Sequence, residues 1–239
     1  MNIAVILAGG VGQRFGAEIP KQFVEVLGKP ILAYTIEKFE KCDDVDAIEV
    51  VCVESSLDVL HEMVKKYNYS KVKWITSGGA TFQESVQKGM NNLSQVCSDD
   101  DILLFHFGAS PFIEEDIIVD AIKVCEKTDN CISTTSFFLL SGIKDDETKS
   151  STWIDRDTIA CMNSPHAFKF SYISELYKEA YATGIINEVE PHTTSLMQAM
   201  GRTIYFSKGS QLNIKITNRE DTDLFEGYVL MKRSRGIDV

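Results

Sequence analysis

The feature that most constrains this chain is its start. An almost unbroken apolar run, Asn2–Ala8 (NIAVILA), passes directly into Gly9-Gly10-Val11-Gly12-Gln13-Arg14-Phe15-Gly16, followed by Ile19-Pro20-Lys21-Gln22. Apolar residues on both alternating faces predict a strand covered on both sides, as in a parallel sheet. Glycines after such a strand let backbone N–H groups approach phosphate oxygens closely, which makes Ala8, Gly9, Gly10 and Gly12 candidate nucleotide contacts. The loop is not a P-loop, because no Gly-Lys-Ser/Thr follows the glycines. It is a poor dinucleotide fingerprint too, since Gly10 and Gly12 require a third glycine at position 15, which is Phe15. Arg14 and Lys21 flank the loop with more positive charge than a dinucleotide diphosphate needs. A nucleoside triphosphate fits better, with a turn bearing two solvated cations as the plain alternative.

The rest of the chain repeats the alternation. Ala47–Val53, Val72–Thr76 and Ile102–His106 read as strands, and the periodicity predicts helices after Pro30 and over Ser56–Tyr67, Ser85–Leu93 and Glu114–Glu126. Strand–helix alternation predicts a doubly wound, mostly parallel α/β sheet, with ligands beyond the carboxyl ends of its strands. Further helices are expected near Ser171–Ala182, Thr194–Met200 and from about Asp221, a strand at Thr203–Ser207, and a β-like run at Asn213–Thr217 with Lys215 on its polar face. Gly142–Thr158 is polar and turn-like, and composition alone favours a loop over a hairpin. With no repeat and no linker, residues 1–239 read as one domain.

Composition excludes several functions. Acidic residues outnumber basic ones by 35 to 24, giving a net charge of −11, which argues against nucleic acid and anionic membranes as partners. No segment approaches the roughly 20 apolar residues needed to span a bilayer, and the first apolar run is too short for a signal sequence. The cysteines, Cys42, Cys52, Cys97, Cys125, Cys131 and Cys161, form no C-x-x-C pair and read as core residues of a reduced, cytoplasmic protein. The protein supplies no recognisable metal site.

Two further turns follow strands. Gly78-Gly79 with Ser85 would let the backbone meet a nucleobase edge, although an ordinary β-to-α turn with a capping serine has the same look. His106-Phe107-Gly108-Ala109-Ser110-Pro111 follows the fourth strand, where His106 reads as the end of a buried strand.

Leu7–Phe23 (LAGGVGQRFGAEIPKQF), Gly78–Met90 (GGATFQESVQKGM) and Asn213–Asp221 (NIKITNRED), in that order over essentially the whole chain, resemble the cytidylyltransferases that act on polyol phosphates. These include the ribitol 5-phosphate and 2-C-methyl-D-erythritol 4-phosphate enzymes. The resemblance implies a Rossmann-like sheet with a protruding β-arm, here about 142–158, that pairs subunits into a homodimer. It implies attack of an acceptor phosphate on the α-phosphorus of CTP, assisted by Mg²⁺, with loss of pyrophosphate. Arg14, Lys21, Lys215 and Arg156 match the catalytic cations, Arg156 often reaching the acceptor from the partner's arm. Gly79 and Ser85 match cytosine and ribose contacts.

The departures from the family pattern are concentrated. The family's His-Asp-Ala/Ser-x-Arg-Pro reads with Phe107 for the acid and Ser110 for the arginine. Phe82 stands for an arginine, Ser141-Gly142 for Asp-Thr, Ser164-Pro165-His166 for Thr-Pro-Gln, and Pro191-His192 for Thr-Asp. Phe107, Ser110, Ser164 and His192 are therefore candidate acceptor contacts, with His166 beside them. Retained triphosphate positions and altered acceptor positions imply an active enzyme with a non-standard acceptor, and the Leu-Ala-Gly-Gly form of the first motif resembles the ribitol 5-phosphate enzymes more than the methylerythritol ones. Such products feed surface polysaccharide or teichoic acid synthesis. The alternatives are the methylerythritol phosphate of isoprenoid synthesis, another phosphate or phosphonate acceptor, or a nucleotide-binding relative that has lost catalysis.

Overall fold

The computed structural model describes residues 1–10 and 19–237. Its elements in chain order are β1 (Asn2–Ala8), β2 (Glu25–Val26), β3 (Lys29–Pro30), α1 (Ile31–Lys41), β4 (Ala47–Cys52), α2 (Leu57–Tyr67), β5 (Val72–Ser77), α3 (Phe82–Leu93) and β6 (Ile102–Phe107). There follow α4 (Glu115–Thr128), β7 (Asn130–Ser136), β8 (Gly142–Ile143), β9 (Thr152–Trp153), β10 (Ala160–Lys169), α5 (Phe170–Thr183), α6 (Thr193–Ala199), β11 (Phe206–Lys208) and α7 (Arg219–Ser234). The main sheet has the order β11-β7-β10-β6-β1-β4-β5. Only β10 runs antiparallel to its neighbours, so the sheet is mostly parallel, as the sequence predicts.

Alternation along β1 splits its side chains between two cores. Ala4 and Ile6 pack with Leu32, Ile36 and Phe39 of α1 on one face, while Ile3, Val5 and Leu7 pack with Val86 and Met90 of α3 on the other. Burying one such side chain completely contributes roughly 1.5–3 kcal/mol, so β1 anchors the fold at the strand that feeds the glycine loop. Because β4 pairs on one side of β1 and β6 on the other, strand order reverses at β1. A crevice opens at that point above the carboxyl ends. A third core, with Tyr34, Phe112, Ile216, Phe225 and Val229, docks α7 and the segment before it against the sheet end.

Four differences from the sequence expectation have physical causes. The polar segment at 142–158 is not a loop throughout, because Gly142–Ile143 pairs antiparallel with Thr152–Trp153 in a two-stranded hairpin. The strand expected at Thr203–Ser207 lies at Phe206–Lys208, where it finds β7 as a partner. Asn213–Thr217 is not a strand: Ile214 and Ile216 face the third core, which imitates β alternation, and the Ile216 N–H bonds the Ala109 carbonyl at 2.8 Å outside any ladder. Strand β10 escapes sequence reading because Pro165 lies within it, at a register shift between Asn163 and His166 that accommodates its missing N–H. All six cysteines are free, and no helix among the described residues is long and apolar enough to cross a membrane.

Glu49, in the middle of β4, is fully buried. Its Oε1 accepts from Thr76 Oγ1 at 2.8 Å and Asn92 Nδ2 at 2.9 Å, while Oε2 has no hydrogen-bond partner among the described residues. Burial raises its carboxyl from 4.5 to about 7, against the two hydrogen bonds. Between those values the folded chain binds more protons than the unfolded one, so stability should fall as pH rises through this window. Glu49→Gln, which has no carboxyl to ionise, should flatten the dependence. Urea midpoints of both proteins from pH 4.5 to 8 check this.

Candidate active site

The crevice is a cavity of about 670 Å³ lined by residues that follow β1, β4, β5 and β6, together with His192, Lys215 and Thr217. Its floor is backbone. A Cβ on Gly9 or Gly78 would come within 3.2 or 3.1 Å of Ser85 Oγ, and one on Gly79 would sit 2.2 Å from Glu84 Cβ. The first two would be tight and the third impossible without a shift of the turn, so Gly79 is where main chain comes closer than a side chain permits. Gln22, buried between Lys21 and Phe23, ties the loop down: its Nε2 donates to Ala8 O at 2.6 Å and Gly10 O at 3.1 Å. The Ser85 hydroxyl accepts from the Gly79 N–H at 3.0 Å and donates to Thr81 O at 3.0 Å. Its donor capacity is thus engaged in shaping the turn. Helix α3 starts earlier than its periodicity suggests because Thr81 caps it, accepting from the Glu84 N–H at 3.1 Å, and Glu84 Oε2 accepts from the Ala80 N–H at 2.7 Å.

Two lysines from opposite ends of the chain line this cavity. Lys21 Nζ donates to Ile216 O at 2.7 Å, and Lys215 Nζ lies 3.8 Å from the centroid of the Phe107 ring. The segment just after Lys215 is fixed by Asp221, whose Oδ2 accepts from Thr217 N at 2.6 Å, Thr217 Oγ1 at 2.7 Å and Asn218 N at 3.0 Å. Burial works to raise the Asp221 carboxyl, but the hydrogen bonds from Thr217 and Asn218 prevail and hold it below the ordinary carboxylate value. Asn218 and Asp221 form a complete capping box on α7. Asp221→Ala should therefore destabilise the fold by about 1–2 kcal/mol, the usual cost of a lost cap. It should also lower turnover about tenfold by loosening Lys215 and Thr217. Thermal melts and steady-state rates check the two effects separately.

One wall is aromatic. Phe82 and Phe107 lie 5.7 Å apart between centroids, Phe82 and His192 lie 4.9 Å apart, and the ring of His166 meets Phe107 edge-on at 6.1 Å. Burial, with the neighbouring His192, His106 and Lys215, pushes His166 down to about 3, so it is a neutral imidazole backing Phe107. Burial lowers His192 as well; Lys215 adds to this and Glu190 opposes it. Fully buried His106 bonds the Ser110 carbonyl at 2.9 Å through Nε2, which must donate, and burial pushes it down to about 4.

Of the residues singled out from the sequence, Ala8, Gly9, Gly10, Lys21, Gly79, Ser85, Phe107, His192 and Lys215 line the one cavity. Gly12 and Arg14 lie outside the described residues. Ser110 and Ser164 do not line it: both are buried, their hydroxyls have no partner among the described residues, and Ser164 O accepts from Asn213 Nδ2 at 2.6 Å. Arg156 lies elsewhere in its own chain, donating through Nη1 to Phe138 O at 2.9 Å beside a second depression lined by Phe137, Phe138 and Asp157. Sequence reading did not mark Gln22, Thr217 or Asp221. Asp221 was findable from the Asn218-x-x-Asp221 cap spacing, whereas Gln22 gives no local signal.

Comparison with known proteins finds relatives over nearly the whole chain. The family model described as IspD: 2-C-methyl-D-erythritol 4-phosphate cytidylyltransferase matches residues 2–231. A ribitol-5-phosphate cytidylyltransferase of Lacticaseibacillus paracasei is 36% identical over 97% of this chain and 99% of that protein. A 2-C-methyl-D-erythritol 4-phosphate cytidylyltransferase of Clostridium acetobutylicum is 35% identical over 98% of this chain and 99% of that protein. Among solved structures, the 4-diphosphocytidyl-2C-methyl-D-erythritol synthase of Anaerococcus prevotii superposes with a TM-score of 0.79 at 23% identity, covering 96% of each chain.

Proposed function

The chain belongs to the 2-C-methyl-D-erythritol 4-phosphate cytidylyltransferase family and is a nucleotidyltransferase; from that premise we propose that it transfers CMP from CTP to ribitol 5-phosphate, giving CDP-ribitol and pyrophosphate. The observation that carries the proposal is that Lys21 and Lys215 share one cavity with the glycine turns at the strand-order reversal. An oxygen of the acceptor phosphate attacks the α-phosphorus in line, a new P–O bond forms, and the bond to the β-phosphate oxygen breaks. Negative charge shifts onto the equatorial oxygens and the leaving pyrophosphate, where two fixed ammonium groups stabilise it. Arg14 joins them on the strength of the resemblance. The backbone N–H groups at Gly9–Gly10 hold phosphate oxygens, and Gly79 meets the base.

The choice of acceptor is supported by relatives named for ribitol 5-phosphate in Lacticaseibacillus paracasei and, at 36% identity, Streptococcus agalactiae. The Clostridium acetobutylicum relative favours methylerythritol phosphate as the second reading. The described cavity lining contains one carboxylate, Glu54, and no group of three or more His, Cys, Asp or Glu among the described residues could hold a metal. This donor set fits a Mg²⁺ ion held chiefly by the triphosphate itself. When bound, the ion adds charge neutralisation at the phosphates. A homodimer is supported by the hairpin and its base, where Phe138, Leu140 and Trp153 are 65%, 90% and 75% exposed. Arg156 then reaches the acceptor phosphate of the partner subunit. We place the enzyme in the cytoplasm, supplying a CDP-polyol for surface polysaccharide or teichoic acid synthesis.

Pyrophosphate release measured with CTP, Mg²⁺ and each acceptor tests the assignment. The expected result is a kcat/KM at least about tenfold higher for ribitol 5-phosphate than for methylerythritol 4-phosphate; the reverse order would select the second reading. Mixing inactive Arg156→Ala and Lys215→Ala proteins should restore part of the activity if the arm acts across a dimer, and none if it acts within its own chain.

A further inference from the structure

The aromatic wall distinguishes this cavity from a site that reads hydroxyl groups one by one. Phe82 enters from the first turn of α3, Phe107 from the end of β6, and His192 from the residue before α6. They come together although β5, which leads into α3, and β6 are separated in the sheet by β1 and β4. All three are half-buried cavity residues, and their rings are tilted by 54° and 46° rather than stacked, so they form one faceted surface. Two of the three rings have no hydrogen-bonding atom. A hydroxyl turned toward them would lose water without gaining a partner, which is unfavourable. The carboxylate among the described lining residues, Glu54, follows β4, two strands away from β6 in the sheet. At the wall itself the charged group is Lys215, held against the Phe107 face.

We propose that Phe82, Phe107 and His192 act together as a specificity-determining wall that receives the C–H surface of a phosphorylated carbon chain, while Lys215 beside them receives its phosphate. This rests on reading the cavity as the acceptor site of a cytidylyl transfer. The acceptor is chosen by the presence of phosphate and by the length and apolar edge of its chain, more than by the pattern of its hydroxyls. Lys215 packs on the Phe107 ring, and Phe82 meets that ring from 5.7 Å away, so Phe82 is the position at which chain recognition is tested.

The test is calorimetry on the protein loaded with α,β-methylene-CTP, titrated with inorganic phosphate and with n-pentyl phosphate. At ~0.8 kcal/mol per buried CH₂, the alkyl chain should bind at least about tenfold tighter than phosphate alone. Phe82→Ala should remove most of that gain, and Phe82→Leu, which keeps the apolar volume, should retain it. Equal affinities for the two ligands, or an undiminished gain in Phe82→Ala, would overturn the proposal. With the unaltered enzyme, acceptors lacking one hydroxyl at a time should lose no more than about tenfold in kcat/KM. A loss of ~10⁴ for any one of them, the signature of a site built around a hydroxyl, would also overturn it. Failure of every polyol phosphate to turn over, with the pentyl gain intact, would instead reject the assigned reaction and leave the wall standing.

Discussion

Lys215→Ala is expected to lower kcat by ~10²–10³, with a change of less than about threefold in KM for CTP. The ammonium lies in the cavity against the Phe107 ring, where partial exclusion of water strengthens its pull on developing phosphate charge. Ground-state triphosphate also carries charge, but in-line transfer moves charge onto the bridging oxygen, and only the cations fixed near that atom act selectively on the transition state. Lys21→Ala should produce a loss of similar size. Because Lys21 and Lys215 are joined through the Ile216 backbone, the double variant should lose less than the product of the two single losses. Steady-state kinetics of the three variants checks all of this, and unchanged turnover in either single variant would remove that lysine from catalysis.

Gly79→Ala is expected to weaken CTP binding by about 10²-fold or more while leaving a folded protein. Its added Cβ would lie 2.2 Å from Glu84 Cβ and 3.0 Å from the Glu84 backbone carbon, so the turn must move away from the start of α3. That movement breaks the bond from Gly79 N–H to Ser85 Oγ and displaces the Ala80 N–H from Glu84. A floor made of backbone groups loses its function when shifted by an ångström, which is why the effect should appear in affinity. Gly227, inside α7 with nothing within 4 Å of its would-be Cβ, is the contrasting position. Gly227→Ala should stabilise the protein by about 0.5–1 kcal/mol and leave CTP binding unchanged. Calorimetric titration of CTP together with thermal melts distinguishes the two glycines.

The parallel half of the sheet was legible in the sequence because strands buried on both faces, such as β1 and β6, must be apolar at nearly every position. The glycine turns after β1 and β5 were legible because paired glycines directly after a strand mark a place where backbone must come close to something else. Strand β7 was not, because its Ser and Thr residues give no apolar alternation, and β10 was hidden by Pro165. The segment carrying Lys215 had the period of a strand without being one, its two isoleucines facing a core formed with α7. The acceptor wall was only half legible. The altered positions could be counted along the chain, but nothing in their spacing reveals that Phe82, Phe107 and His192 touch while Ser110 and Ser164 turn away. Such contacts depend on how α3 and α6 pack across the sheet, a long-range property with no local sequence signature. Arg156 is similar: its place just after the hairpin is local, whereas its separation from the cavity within its own chain is visible only in the fold.

The most direct measurement is ³¹P NMR of the purified protein incubated with CTP, Mg²⁺ and ribitol 5-phosphate. The expected spectrum shows the acceptor monophosphate and the triphosphate signals replaced, in equal amounts, by a diphosphate diester and free pyrophosphate. Release of inorganic phosphate alone, or an unchanged spectrum in a protein that still binds CTP, would contradict cytidylyl transfer to this acceptor.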